Sequence, residues 1–336
     1  MADTMSAAQL SQMIRGYRVS QIVGAMARLE IPDRLSNGPL DCDVLAETIG
    51  CEPQATYRLL RASAHLGLAA ALPDGRFGLT PLGELLRSNV PGSMRDSAIA
   101  LTAPGHWFPW ARLAEVVRLG ERQTVAALGH ELFDYYAANP SEGNAFTGAM
   151  ANHSALIADE VACVLDTSGA NHVVDVGGAS GTLIAALLRK NAELRGTILE
   201  RTEVLPRAKA ALAESGLSSR CQVVEGNFFE NVPEADLHVL KSIIHDWDDE
   251  ASIRILGNCA RALRPQGRVV LVEWVMPEGG QPGPAALSDL NMLVLLPGRE
   301  RSAGQLAELL RAAGLQLDRI TEIAASAHLI EASLIA

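Results

Sequence analysis

VVDVGGASGTLIAALLRK, residues 173–190, runs from β-branched residues through a glycine-rich turn into an apolar-faced helical segment. A strand that enters a helix through such a turn is the opening unit of a doubly wound α/β sheet. Glycine there lets a ligand approach the backbone closely. The alternation continues downstream. GTILE (196–200), CQVVEG (221–226), DLHVLK (236–241) and GRVVLVEWV (267–275) read as strands. Helices are expected at about 203–215, 248–263 and 303–313, and two further β-rich stretches close the chain. This order predicts a mostly parallel sheet with right-handed crossovers.

The N-terminal half has a different character. Leu10, Met13, Ile14, Tyr17, Ile22, Met26 and Leu29 recur at helical spacing, and Pro32 and Asn37-Gly38-Pro39 should end that opening helix. Residues 43–49 and 53–65 read as helices separated by Gly50, and Gly67 stops the second. Pro73-Asp74-Gly75 then joins 68–72 to 77–79 as a hairpin. Helix, turn, helix and a two-stranded wing make a winged-helix pattern. Residues 93–165 read as helical, rich in large apolar side chains such as Trp107, Phe108, Trp110 and Phe133, with a break at Asn139-Pro140. We therefore divide the chain into an N-terminal helical domain (1–100), a helical linker and pocket region (101–165) and an α/β domain (166–336).

Composition narrows the function. The 336 residues are 48% hydrophobic and 20% charged, the profile of a globular chain with ample core. A net charge of −11 argues against nucleic acid and anionic membranes as main partners, since both need a basic surface. A winged helix can bind DNA, but residues 53–67 offer only Arg58 and Arg61 as fixed positive groups. Five cysteines without a C-x-x-C pair favour reduced thiols over disulfides or structural zinc, which suits a cytoplasmic location. No apolar run is long enough to span a bilayer, and the first residues do not form a secretory leader.

Two ligand classes compete for the turn at 175–181. A dinucleotide fingerprint, G-x-G-x-x-G, fails because position 179 is Ala and position 182 is Thr. Asp175, two residues before Gly177, would repel a pyrophosphate but suits a ligand bearing an amine. Glu200 ends the second strand, where a carboxylate can accept from ribose hydroxyls. S-adenosylmethionine, with its ammonium and sulfonium, fits better than NAD.

VVDVGGASGTLI, GNFFE, LKSIIHDWDDE, VVLVEWVMP, DLNML and GRERS, in this order and spacing, resemble the caffeate-type plant and bacterial O-methyltransferases over nearly the whole chain. The resemblance implies a class I methyltransferase sheet, a winged-helix dimerisation domain and a homodimer. It implies S-adenosylmethionine contacts at Gly177, Glu200, Asn227, Phe228, Lys241 and Ser154, with Asp175 beside them. Glu200 and Asn227 stand where relatives usually carry Asp, and Thr202 replaces a usual proline. Ala179 replaces a usual glycine, which requires a negative φ at that position. His245 would be the general base, flanked by Glu273 and Glu300. Phe146, Met150, His153, Asp246, Trp247, Asn291 and Met292 fall where relatives line the pocket for an aromatic hydroxyl substrate. Leu296 stands where plant members carry a polar residue.

The chemistry expected is displacement at a sulfonium methyl by an oxygen whose proton goes to an imidazole. A carboxylate on the second ring nitrogen would fix the tautomer, as in a hydrolase triad. A simpler account of Asp248 and Asp249 is helix capping and the macrodipole. Glu273 has a plain alternative as a surface residue of an edge strand. His106, His130 and His172 carry no motif and read as structural. The aspartate cluster could hold a metal, but the reaction needs none. Methylation of nitrogen, or a non-methylating use of the cofactor, on the same scaffold is the nearest competing activity.

Overall fold

The structure, a computed structural model, describes residues 4–323 and 326–335. It divides into two compact units, one of residues up to Trp107 with Ser141–Asn152, the other Phe108–Pro140 with His153 onward.

In the first unit the opening segment is not one helix but two, Thr4–Ile14 and Gly16–Arg28. Pro32 does not end them. It sits in the first turn of a short helix, Ile31–Leu35, where a missing N–H costs nothing. The expected apolar face is also split: Met26 is buried, whereas Leu10, Met13, Ile14 and Tyr17 are exposed. Helix Cys42–Ile49 is capped by the Asp41 carboxylate, and Pro53–His65 by that of Glu52. Strands β1 (Ala69–Ala71) and β2 (Phe77–Leu79) pair antiparallel as the wing. Leu45, Leu60, Leu68, Phe77 and Met26 close the core beneath it.

The second unit is built on an eight-stranded sheet. Its strands are β3 (His172–Val176), β4 (Arg195–Glu200), β5 (Cys221–Glu225), β6 (Ala235–Lys241), β7 (Leu263–Met276), β8 (Arg301–Ser302), β9 (Leu315–Glu322) and β10 (Ala327–Leu334). The order is β5-β4-β3-β6-β7-β10-β9, with β8 added along β7. Strands β3 to β7 run parallel, while β10 is antiparallel to both β7 and β9. Both faces are buried, which explains the unbroken apolar runs. Val173, Val270 and Val272 join one core; Val174, Val269 and Leu271 join the other. The chain leaves β3 toward β4 on one side and returns to β6 on the other, so a crevice opens at the carboxyl end of β3. Helix Pro284–Leu295, which the sequence reading did not include, follows β7 and bears on the site.

Candidate active site

The 3₁₀ turn Ile244–Asp246 follows β6 and carries His245. Three neighbours hold it in place. Glu273, near the end of β7, accepts the backbone N–H groups of Ile243 and Ile244 on Oε1 at 3.0 and 2.9 Å. Arg301, in β8, donates to the carbonyls of Ile244 (2.9 Å) and Trp247 (2.8 Å) and binds the Asp249 carboxylate. The third is Gly298, whose missing side chain lets the loop lie against the turn. A Cβ there would overlap the carbonyl oxygen of His245.

Two carboxylates converge on one nitrogen of the imidazole. Nδ1 is 2.9 Å from Glu300 Oε1 and 3.3 Å from Glu273 Oε2; Nε2 is 3.4 Å from Asp246 Oδ1. Glu300 is itself oriented: the Ser288 hydroxyl donates to Oε1 at 2.6 Å, and the Glu300 N–H donates to Asp289 at 3.0 Å. Glu273 and Glu300 are both buried, so Glu273 is not an edge-strand surface residue. It lies in β7, between β6 and β10.

This enclosure sets the proton affinity. Burial alone pulls the His245 pKa down, but Glu273, the Glu300 hydrogen bond and Asp246 outweigh it and push it up to about 10. Burial likewise pushes Asp246 up to about 7 and raises Glu273. Lys241, at the end of β6, is pulled down by burial against the charges of Glu273, Asp175 and Asp246. His153 is lowered to about 4, by burial and then by the positive charges of Lys241 and His245.

The glycine turn lies close by. Gly177 has φ +69°, and a Cβ there would sit 2.6 Å from Ile243 Cδ1 and 3.6 Å from Phe228 Cε1. A Cβ on Gly178 would meet the Asp175 carboxyl at 2.5 Å. Contrary to the expectation of a negative φ, Ala179 adopts φ +48°. The strain, about 1–2 kcal/mol, accompanies a hydrogen bond from the Ala179 N–H to Glu200 Oε2 at 3.2 Å. Glu200 takes a second N–H, from Arg201, on Oε1. Burial raises the pKa of Glu200 and pushes Asp175 up to about 7. Asp175 Oδ2 is buried without a hydrogen-bond partner among the described residues, and so are Glu273 Oε2 and Glu300 Oε2.

The other expected residues divide. Phe228 and Phe229 each pack edge to face with Trp247, and Phe133 stacks on Trp247 at 6.1 Å. Asn227 is exposed and ties its own turn, accepting from Phe229 N and donating to Glu230. Asn291 accepts from Trp110 Nε1 at 2.8 Å, and Met292 is buried on the same helix. Ser154 is buried at the end of helix Pro140–Ala155. Phe146 and Met150 belong to the first unit, packed with Ala100, Ala145 and Ala149. Asp248 caps helix Asp249–Ala262 as expected, whereas Asp249 does more than serve the dipole, since it pairs with Arg299 and Arg301. Thr202 hydrogen-bonds the Glu225 carboxylate, and Leu296 is buried. Ser288, Asp289, Gly298, Arg301 and Trp110 act on the site without being foreseen. Of these, Asp289, Gly298 and Arg301 stood within quoted motifs.

His245, Glu273 and Glu300 also offer donor atoms within 4.8 Å of one another, a set that could take a metal ion. Their existing bonds compete with that role. A ring Nδ1–H given to Glu300 leaves no lone pair on that nitrogen for a cation.

Residues 110–316 match the O-methyltransferase domain family, and residues 11–89 match the O-methyltransferase dimerisation domain. The chain belongs to the O-methyltransferase family. It is 37% identical over 324 residues to a phenazine O-methyltransferase of Lysobacter antibioticus, covering 96% of this chain and 95% of that one. It is 34% identical to a mitomycin biosynthesis 6-O-methyltransferase of Streptomyces lavendulae, covering 92% and 89%. A phenazine-1-carboxylate N-methyltransferase of Pseudomonas aeruginosa is 30% identical, covering 99% and 98%. Among solved structures, an O-methyltransferase from neocarzinostatin biosynthesis superposes with a TM-score of 0.79 at 31% identity, covering 94% and 96%. It was solved with S-adenosylhomocysteine and 1,4-dihydroxy-2-naphthoic acid.

Proposed function

We propose that this enzyme transfers a methyl group from S-adenosylmethionine to a hydroxyl of an aromatic or polyketide-like small molecule, with His245 receiving the hydroxyl proton. The observation that carries the reading is an imidazole held by a buried carboxylate on Nδ1, leaving Nε2 as the proton acceptor.

The crevice suits the cofactor. An unpartnered buried carboxylate oxygen at Asp175, a glycine turn with no room for side chains, and Glu200 at the end of β4 suit a ligand with a cationic amine and a ribose. Gly177 and Phe228 would border it, Asp175 would take the ammonium, Glu200 the ribose hydroxyls, and Lys241 and Ser154 would lie beside it. Once bound, the cofactor supplies an activated methyl on a sulfonium.

The chain's own part is positioning and proton transfer. Glu273 fixes the His245 turn through two backbone N–H groups, and Glu300 fixes the ring. Holding acceptor and donor in line is worth about 7–11 kcal/mol of barrier, and a positioned base roughly 10²–10⁴-fold. His153, Trp247, Asn291 and Met292, with Asp246 beside the ring, would line the acceptor pocket. The exposed apolar residues Leu10, Met13, Ile14 and Tyr17 would pair two copies into a homodimer.

Replacing His245→Ala tests the assignment. Methylation of a phenol should fall by about two orders or more, while S-adenosylhomocysteine binding by calorimetry persists. Turnover within a few-fold of wild type would refute the role. An amine analogue offered beside the phenol separates nitrogen from oxygen methylation.

A further inference from the structure

Trp110 and Asn291 lie 181 positions apart and meet through one hydrogen bond, Trp110 Nε1–H to Asn291 Oδ1 at 2.8 Å. An indole nitrogen only donates, so the amide atom facing it must be the oxygen. That removes the usual ambiguity between the two ends of an asparagine side chain. The amide nitrogen is left with two donors and has no acceptor among the described residues.

The position of Asn291 gives that donor a use. It lies one turn beyond Ser288 in helix Pro284–Leu295, and residues three apart share a helix face. The Ser288 hydroxyl donates to Glu300 Oε1, the same oxygen that meets His245 Nδ1. Asn291 therefore shares the helix face whose Ser288 holds the carboxylate that orients the base.

We infer that Trp110 locks the Asn291 amide with its nitrogen toward the acceptor pocket, so that the enzyme selects aromatic hydroxyls bearing a hydrogen-bond acceptor beside the reacting oxygen. That acceptor is a carbonyl oxygen or a ring nitrogen. The inference rests on the O-methyltransferase reading above and names its substrate class. Such a neighbour forms an internal hydrogen bond with the hydroxyl and hides its proton. A donor from Asn291 competes for the neighbouring atom and releases the proton to His245 Nε2. A phenol without that neighbour leaves Nδ2–H buried and unpaired against the ring, which is penalised.

Three acceptors of matched size test this with labelled methyl donor in the presence of chelator: 8-hydroxyquinoline, 8-hydroxy-1-tetralone and 1-naphthol. Wild-type kcat/KM should favour the first two over 1-naphthol by roughly five- to tenfold, the worth of one amide hydrogen bond. Their order shows which acceptor atom is preferred. Asn291→Leu should bring the preference close to unity. Asn291→Asp keeps an oxygen for Trp110 but presents a second one to the substrate, and should invert the preference. Trp110→Phe should reduce it, because the amide is then free to turn. Calorimetry with S-adenosylhomocysteine confirms that each variant is folded. Equal efficiency on all three in wild type, or a preference that survives in Asn291→Leu, overturns the inference and leaves methyl transfer standing. Methylation of none of the three overturns both.

Discussion

Glu300→Gln removes one negative charge from the His245 ring and keeps the side chain's shape. In the native site the imidazole pKa is raised from its ordinary 6.5 to about 10. That gap is about 5 kcal/mol in favour of the imidazolium, won against burial by Glu273, Glu300 and Asp246 together. Glu300 supplies the hydrogen bond at 2.9 Å. A hydrogen bond to a charged group is worth about 1.5–3 kcal/mol, or roughly 1–2 pH units. The neutral-base form of the site therefore dominates only above about pH 10 in the native protein. The rising limb of kcat/KM should extend toward that pH, and in Glu300→Gln it should move down by roughly 1–2 units. The maximal rate should also fall, because the base is weaker. Two phenols of different acidity separate the enzyme's limb from the acceptor's own ionisation. The sign for stability follows from the raised pKa. The stabilisation is fully present below about 6.5 and is lost as pH rises through about 10, so the native Tm should decline there more steeply than the variant's. A native limb centred near 6.5, or a limb that stays put in Glu300→Gln, would refute this account of the site.

Arg301→Met leaves the carbonyls of Ile244 and Trp247 without their donor, and should cost roughly 2–4 kcal/mol in urea unfolding with a fall in kcat larger than the rise in KM. Equal loss in a variant of the exposed Arg254 would count against a specific role. Asp175, pushed up to about 7, must ionise to pair with a cationic ligand. Affinity for S-adenosylhomocysteine should therefore rise about tenfold per unit as pH rises toward 7 and level off above it, and Asp175→Asn should flatten that dependence in calorimetry. Exhaustive chelation should leave turnover unchanged, since the nitrogen a metal would need is committed to Glu300; recovery of activity on adding back a divalent ion would show otherwise.

The α/β sheet was legible because its strands are buried on both faces and each is punctuated by a turn or helix, as at Val173–Gly177. The helix at Pro53–His65 was legible from its proline start and glycine stop. The opening helix was misjudged for a physical reason. Apolar spacing across Leu10 to Leu29 is continuous, but the exposed Leu10, Met13, Ile14 and Tyr17 show that periodicity alone does not say what a face packs against. Helix Pro284–Leu295 was missed because it is apolar on most sides and so has no marked amphipathic stripe. At the site, sequence order placed His245, Glu273 and Gly177 at neighbouring strand ends. It could not show that Ser288 and Arg301 hold Glu300 and the His245 turn, since those are side-chain contacts between elements distant in the chain. Ala179 is the instructive exception. Its left-handed backbone broke the local rule, and it did so where the turn must deliver an N–H to Glu200.

The crevice also explains its own charge. Asp175, Asp246, Glu273 and Glu300 are all deeply enclosed, and Lys241 and His245 are the cationic groups set against them. Burying anions in excess is unfavourable unless something compensates. His245 takes up part of the excess by holding a proton far above its ordinary range. Asp175 and Asp246 take up part by holding theirs to about 7. A cationic ligand would offset part of the remainder, whereas an anionic pyrophosphate would add to it, although the sheet is of the dinucleotide-binding type. In the transfer proposed above, the same carboxylates would hold an imidazolium on His245 as the sulfonium charge is consumed.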